Sequence, residues 1–214
     1  MSTNVRTGLL IVSMLILATN SRAQKPDWKQ ETTKDGKVRV SYYFDERKDE
    51  KGKKYTILEY EAKTVAEVSF ESCLAVLKDD AKHQFFMEDT EYTRRIRDIS
   101  EDEWLSYYRL KKRWPMPEAD IVTLYTLKLE PDMNRFVLIG NPAPDMHPDQ
   151  GVERMRESYS IYTVTDLGNG QSEIIMYYRS IPEVSIHKML MATLFHKGPA
   201  KMVNGIIQLA GDIE

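Results

Sequence analysis

The sequence predicts an α+β fold, a curved antiparallel sheet wrapped around a long C-terminal helix, with two short helices inserted after the first strands. Three observations carry this. Apolar and polar residues alternate in short stretches between Val38 and Arg179, the period of half-buried strands. One interruption, between Val65 and Glu88, has helical spacing instead. A final stretch, residues 183–209, repeats Ile186, Met189, Leu190, Thr193, Leu194, Met202, Ile206 and Leu209 at intervals of three and four, with one gap. Strands and helices segregated in this way build an α+β architecture, not an alternating parallel one.

Composition agrees with one domain of this kind. The chain has 214 residues, 42% hydrophobic and 29% charged, which argues against wholesale disorder, a polytopic membrane protein or a fibre. A net charge of −3 offers no positive excess for nucleic acid. The one cysteine, Cys73, cannot make an intrachain disulfide or a cysteine-based zinc site. It lies in an apolar helical stretch and reads as a small buried hydrophobe.

Residues 1–23 read as a leader, leaving residues 24–214 for the domain. Arg6 precedes the run LLIVSMLILA at residues 9–18. That run is too short to span ~30 Å of hydrocarbon as a full helix, and it suits the apolar part of a secretory signal. Ser21 and Ala23 place small residues three and one before a cut after Ala23. The expectation is export to a periplasmic or extracellular space; an uncleaved anchor is the alternative.

The elements follow in order. Residues 26–36 are polar apart from Trp28 and read as a short helix or arm. Val38, Val40, Tyr42 and Phe44 alternate with Lys37, Arg39, Ser41 and Tyr43, and Leu58, Tyr60 and Ala62 with Glu59, Glu61 and Lys63. These two strands form a hairpin with one dry and one wet face. Val68, Ser72, Leu74, Val76 and Leu77 suit a helix of about three turns, and residues 81–88 a second, shorter one. Strands resume at 91–98, 103–111 and 120–130. Trp104, Ser106, Tyr108 and Leu110 share one side of the second; Ile121, Thr123, Tyr125, Leu127 and Leu129 share one side of the third. A short strand at 135–139 leads to a proline-rich loop, 141–148, which is excluded from central sheet. Strands at 155–165 and 173–179 meet at Gly168-Asn169-Gly170, a hairpin turn signal. Gly198-Pro199 falls in the gap of the last helix and predicts a kink.

A bowl-shaped sheet closed by a helix encloses space unless its inward side chains fill it. Trp104, Tyr108 and Tyr125 are large, whereas Ser106, Thr123 and Ala119 are small and partly polar. The mixture suits an apolar pocket with a few directing groups, and equally a solid core whose tyrosine hydroxyls reach solvent. The cavity candidates are Trp104, Ser106, Tyr108, Thr123, Tyr125 and Leu127 on the strands, with Met189, Thr193 and Leu194 on the last helix.

Several segments, taken in order, carry a family resemblance. Trp114-Pro115-Met116-Pro117-Glu118-Ala119-Asp120-Ile121-Val122 resembles the "PWP…RD-hydrophobic" turn of START-domain lipid-binding proteins, of the Bet v 1-like (SRPBCC) helix-grip superfamily. Trp28 and the stretch Asp35-Gly36-Lys37-Val38-Arg39-Val40-Ser41-Tyr42 look like that family's first helix and strand. Phe70, then Val76-Leu77-Lys78-Asp79, is similar to its helix after the early strands, and Ile181-Pro182, Met189, Pro199 and Ile206 to its closing helix. Two features depart from the pattern: Ala119 stands where a basic residue often precedes the aspartate, and Tyr178-Arg179-Ser180 replaces a "DPGG" turn. The resemblance implies a helix-grip fold that binds, and in some relatives transports, a hydrophobic ligand. It makes the turn bearing Trp114 and Met116 and the loop bearing Pro142 and Met146 the gate candidates. It also implies, as the second reading behind non-catalytic binding, a cyclase or hydrolase acting on an aromatic or polyketide-like substrate. A solid-core interaction domain is the third alternative.

No catalytic motif supports the enzyme alternative directly. His83, His147, His187 and His196 lack metal-ligand spacing, and no GxSxG, P-loop or dinucleotide fingerprint occurs. No cofactor or metal is expected, and the partners expected are a hydrophobic small molecule or lipid, transient contact with a membrane, and no nucleic acid; the chain is expected to be a monomer. Counting back from the hairpin turn sets Arg179 opposite Tyr159, with Glu157 its diagonal neighbour. Facing inward, the pair would grip a polar head-group or be a buried ion pair; facing outward or at the rim, the preferred placement, it is an ordinary cross-strand pair.

Overall fold

The computed structural model describes residues 27–182 and 197–213. Residues 1–23, expected as a leader, and residues 183–196, which include Met189, Thr193 and Leu194, lie outside the described residues.

Among the described residues, ten strands form one sheet. β1 (Lys29–Thr32), β2 (Arg39–Lys48) and β3 (Lys54–Ala66) lead to α1 (Phe70–Lys78) and α2 (Asp80–Phe86). β4 (Thr90–Asp98), β5 (Glu103–Leu110), β6 (Ala119–Glu130) and β7 (Arg135–Pro142) follow. The two-residue β8 (Glu153–Arg154), β9 (Glu157–Gly168) and β10 (Gln171–Ile181) come next, and α3 (Gly198–Gly211) closes the chain. Spatial order is β1-β2-β3-β10-β9-β7-β6-β5-β4, antiparallel throughout, with β8 alone pairing parallel to β6. The strand from the end of the domain therefore pairs with the early hairpin, and the sheet curves around α3.

Local chemistry places the breaks. Ser69 caps α1 by accepting the Ser72 amide at 3.1 Å. Asp79 ends α1 and caps α2 by accepting from the Ala81 amide; such a side chain replaces a partner that a helix end lacks. Asn169 and Gly170 both adopt positive φ at the β9–β10 turn, as a two-residue hairpin turn of that twist requires. Pro199 stands in the first turn of α3, where its missing N–H costs no helical bond. The kink expected at Gly198-Pro199 depends on residues before Lys197 and so lies outside the described residues.

Two expectations are corrected. The segment expected as a first helix or arm is the edge strand β1, paired to β2 from Lys29↔Tyr42 to Thr32↔Arg39. All four of its side chains are exposed, so backbone pairing and the packing of Trp28 on Tyr43, 6.1 Å between rings, order it without an amphipathic face. Asn141 and Pro142, expected in a loop, extend β7 against β6. Pairing of β7 with β9 ends at Gly140↔Ser160, so Pro142 occupies a free edge, where a strand tolerates the missing donor.

The main core lies in the bowl. Val40, Tyr60, Leu138, Tyr162 and Ile174 from the sheet meet Val76 and Leu77 of α1 and Val203 and Ile206 of α3. A second, smaller cluster (Leu105, Tyr107, Val122 and Ala143) covers the convex face. It exists because the chain after β7 folds back over β6. Arg154 pins that segment: its guanidinium holds both carboxylate oxygens of the fully buried Asp120, at 2.6 and 2.8 Å, and donates to the carbonyls of Pro144, His147 and Pro148. The start of β6 is thus buried on both faces, although its sequence alternates.

Candidate ligand-binding site

A chamber of about 140 Å³ opens at one end of the bowl. Leu58 and Tyr60 of β3, Ile121 of β6 and Tyr178 and Ser180 of β10 form its inner wall. Pro199 and Met202 of α3 roof it, and Met116 and Pro117, in the turn between β5 and β6, flank its mouth. The wall is largely apolar because the inward positions near this end of the strands carry aliphatic and aromatic side chains. A dry cavity of ~150 Å³ accommodates one benzene ring, so this conformation holds a single ring or a short alkyl segment.

Among the described residues, the charged groups bordering the chamber stand at its mouth. Glu88 accepts from Lys201 Nζ at 2.5 Å, which ties α3 to the corner after α2. Asp89 pairs with Arg113 at 2.6 Å, which ties the β5–β6 turn to the same corner. Two adjacent acids thus hold both elements that border the opening. Trp114 in that turn is 77% exposed and follows Lys111, Lys112 and Arg113, all exposed.

The polar groups of the inner wall are hydroxyls. Tyr60 and Tyr178 are direct cross-strand partners with stacked rings 5.2 Å apart. Tyr178 bonds Ser158 at 3.0 Å, and Ser180 reaches it as well. Among the described residues, Tyr60 donates to the thioether of Met202, at 3.3 Å. Burial pushes both phenols above the ordinary tyrosine range, so both stay protonated donors at neutral pH.

The strand candidates named from sequence gather elsewhere in the bowl. Trp104, Ser106, Tyr108, Thr123 and Tyr125 all face inward and are buried, but they pack beneath α2, away from the chamber walls. Asp80 at the start of α2 accepts from the Trp104 indole at 3.1 Å, from Ser106 at 2.9 Å and from Arg95 at 3.0 Å. His83 donates through Nε2 to the Leu77 carbonyl at 3.0 Å. Its Nδ1 lies 2.7 Å from the Tyr108 hydroxyl, which shares a 2.8 Å bond with Tyr125. These hydrogen bonds fill that half of the bowl with protein. Leu127 is buried in the core. Of the gate candidates, Met116 borders the chamber and Trp114 is exposed beside it; Pro142, opposite Thr123 at the end of β7, and the exposed Met146 do not line it.

The register expected for Arg179 holds: it faces Tyr159, with Glu157 paired to Ile181. The group points outward, and Arg179 bridges Glu59 and Glu157 at 3.2 Å each. What sequence reasoning missed was the chamber's own polar set, Tyr60, Tyr178 and Ser180. The alternation of β3 and β10 placed them inward, but only the pairing of the two strands shows that they meet. Among the described residues, no cluster of three or more His, Cys, Asp or Glu is arranged to hold a metal, and no helix is long and apolar enough to cross a membrane.

No family model and no curated protein matches the sequence. Solved structures do match the fold. A STAR-related lipid transfer protein from Xanthomonas axonopodis is 15% identical, with a TM-score of 0.70 over 85% of this chain and 97% of that one. Human StAR-related lipid transfer protein 5 is 12% identical, with a TM-score of 0.69 over 90% of each chain. The Zhui aromatase/cyclase from Streptomyces sp. R1128 is 8% identical, with a TM-score of 0.51 over 72% of this chain and 94% of that one. Element order, the curved sheet around a C-terminal helix and these likenesses agree: the chain has the helix-grip fold of START domains.

Proposed function

We propose that this protein binds a hydrophobic ligand beneath α3 and carries it between membranes. The observation that supports this most is the chamber itself, a greasy, half-enclosed space whose charged groups, among the described residues, stand at the mouth. Apolar burial at ~25 cal/mol per Å² supplies the affinity. Entry requires the corner holding Glu88 and Asp89 to release α3 or the β5–β6 turn. Trp114 and the three basic residues before it form a tip that suits an anionic bilayer surface, the indole entering the interface and the cations pairing with phosphates. The leader supports action outside the cytoplasm. Lipid-transfer proteins among the similar structures favour this function, and Glu157 stands on the outer face of the sheet, paired with Arg179.

The test is direct. Purified protein is incubated with a total lipid extract, repurified and extracted for mass spectrometry. An apolar molecule retained by the protein, and displaced by excess of a competing apolar compound, is the expected result. Retention of none overturns the proposal.

A further inference from the structure

We infer that the chamber selects a ligand carrying one uncharged oxygen, a hydroxyl or carbonyl, seated against Tyr60 and Tyr178, and rejects ligands whose inner end is charged. This rests on the ligand-binding function proposed above and names the chemistry of its inner end.

Three observations lead to it. First, the two phenols lie side by side on the inner wall, held by direct pairing of β3 and β10. Their position is therefore set by sheet hydrogen bonds and not by a mobile loop. Second, the Tyr60 hydroxyl spends its proton on the Met202 thioether, a weak acceptor. A ligand oxygen offers a stronger one, and Met202, unbranched and on the bordering helix, can swing aside to admit it. The Tyr178 hydroxyl, bonded to Ser158 and Ser180, extends the patch so that a ligand hydroxyl has both donors and acceptors within one small area. Third, among the described residues the charged groups bordering the chamber are Glu88, Asp89, Lys111 and Arg113, at its mouth. Glu88 and Asp89 are already paired, and Glu88, Lys111 and Arg113 are exposed. A carboxylate or phosphate pushed to the inner wall would lose its water with no counter-charge to meet it among the described residues, and an ammonium would find only Glu88, already paired with Lys201, so both are penalised. The upward displacement of both phenol pKa values by burial reports the same low polarity.

Four single-ring probes of nearly equal size separate the possibilities: toluene, benzyl alcohol, benzoate and benzylammonium. Binding is followed by ligand-observed NMR and calorimetry on the wild-type chain. Benzyl alcohol is expected to bind about five- to tenfold more tightly than toluene, the worth of one net hydrogen bond, and both charged probes more than tenfold more weakly than the alcohol. In Tyr60→Phe and Tyr178→Phe the advantage of the alcohol over toluene is expected to fall several-fold, with circular dichroism reporting an intact fold. Equal binding of alcohol and toluene, or tighter binding of benzoate or benzylammonium, overturns the inference and leaves the hydrophobic-ligand proposal standing. Failure of all four probes, toluene included, overturns both.

Discussion

Gly205 of α3 crosses α2 where a Cβ would lie 2.7 Å from the Cβ of Phe86 and 3.1 Å from its Cα. A hydrogen in place of a methyl group lets the closing helix touch the backbone of the helix beneath it. Phe86 in turn packs edge-on against Tyr162 of the sheet, so this contact sets how deeply α3 sits in the bowl.

Gly205→Ala is therefore expected to destabilise the fold by about 1–3 kcal/mol, the usual cost of overpacking, despite the better helix propensity of alanine. Gly211→Ala, in the same helix with open space around it, is the control and is expected to be neutral or slightly stabilising. Urea unfolding of the two variants decides: equal stability would mean that α3 shifts without cost.

Asp80 is 4% exposed and holds an indole, a hydroxyl and a guanidinium at once. Asp80→Ala leaves the Trp104 and Ser106 donors buried without it and Arg95 without its inner partner. A loss of about 2–4 kcal/mol is expected, the cost of two buried donors left without a partner. The measurement is chemical denaturation, with tryptophan fluorescence reporting the Trp104 environment.

His83 is completely buried, and burial holds its pKa below the ordinary value of 6.5, against an opposing pull from Asp80. Its folded pKa is depressed, so the unfolded chain takes up the proton first. Full stability is present above pH ~6.5 and declines as pH falls below it, by at most about 1.4 kcal/mol per pH unit from this group. His83→Gln is expected to be less stable at pH 7.5 but to lose less on acidification to pH 5.5. His147, shifted the same way by burial, remains in both proteins and cancels in the comparison. Stability curves of equal slope would refute this role for His83.

Glu88 and Asp89 hold α3 and the β5–β6 turn through ion pairs that are partly exposed. Such pairs contribute little to stability but are weakened by salt. Release of bound benzyl alcohol, or of whatever apolar ligand the protein retains, is expected to quicken several-fold at about 1 M ionic strength, where the screening length is only ~3 Å. Glu88→Gln with Asp89→Asn is expected to match that rate at low salt and to lose the salt response, with an unchanged unfolding midpoint. Stopped-flow displacement provides the rates.

Much of the architecture is legible in the residues alone. Period-two alternation marks β2, β3, β5, β6, β9 and β10 and tells which side chains turn inward, because a strand has only two faces. The count back from the turn at residues 168–170 reaches the pairing of Arg179 with Tyr159, which the structure realises through a one-residue bulge between Gln171 and Ser172. The caps that start α1 and α2, Ser69 and Asp79, emerge only in the structure. The edge strand β1 was not legible, because its four exposed side chains carry no pattern and only backbone pairing orders it.

Inward and chamber-lining are different properties, and tertiary structure alone separates them. Trp104, Tyr108 and Tyr125 point into the bowl as their alternation requires, yet Asp80 and His83 reach down from α2 and consume their polar groups. Tyr60 and Tyr178 point inward by the same rule, but at the end where α3 leaves room above them. Alternation is a one-dimensional signal and specifies a face. Whether that face meets a helix or an empty space depends on which distant segment packs over it, and that is settled by the pairing of β3 with β10 and the depth at which Gly205 lets α3 descend.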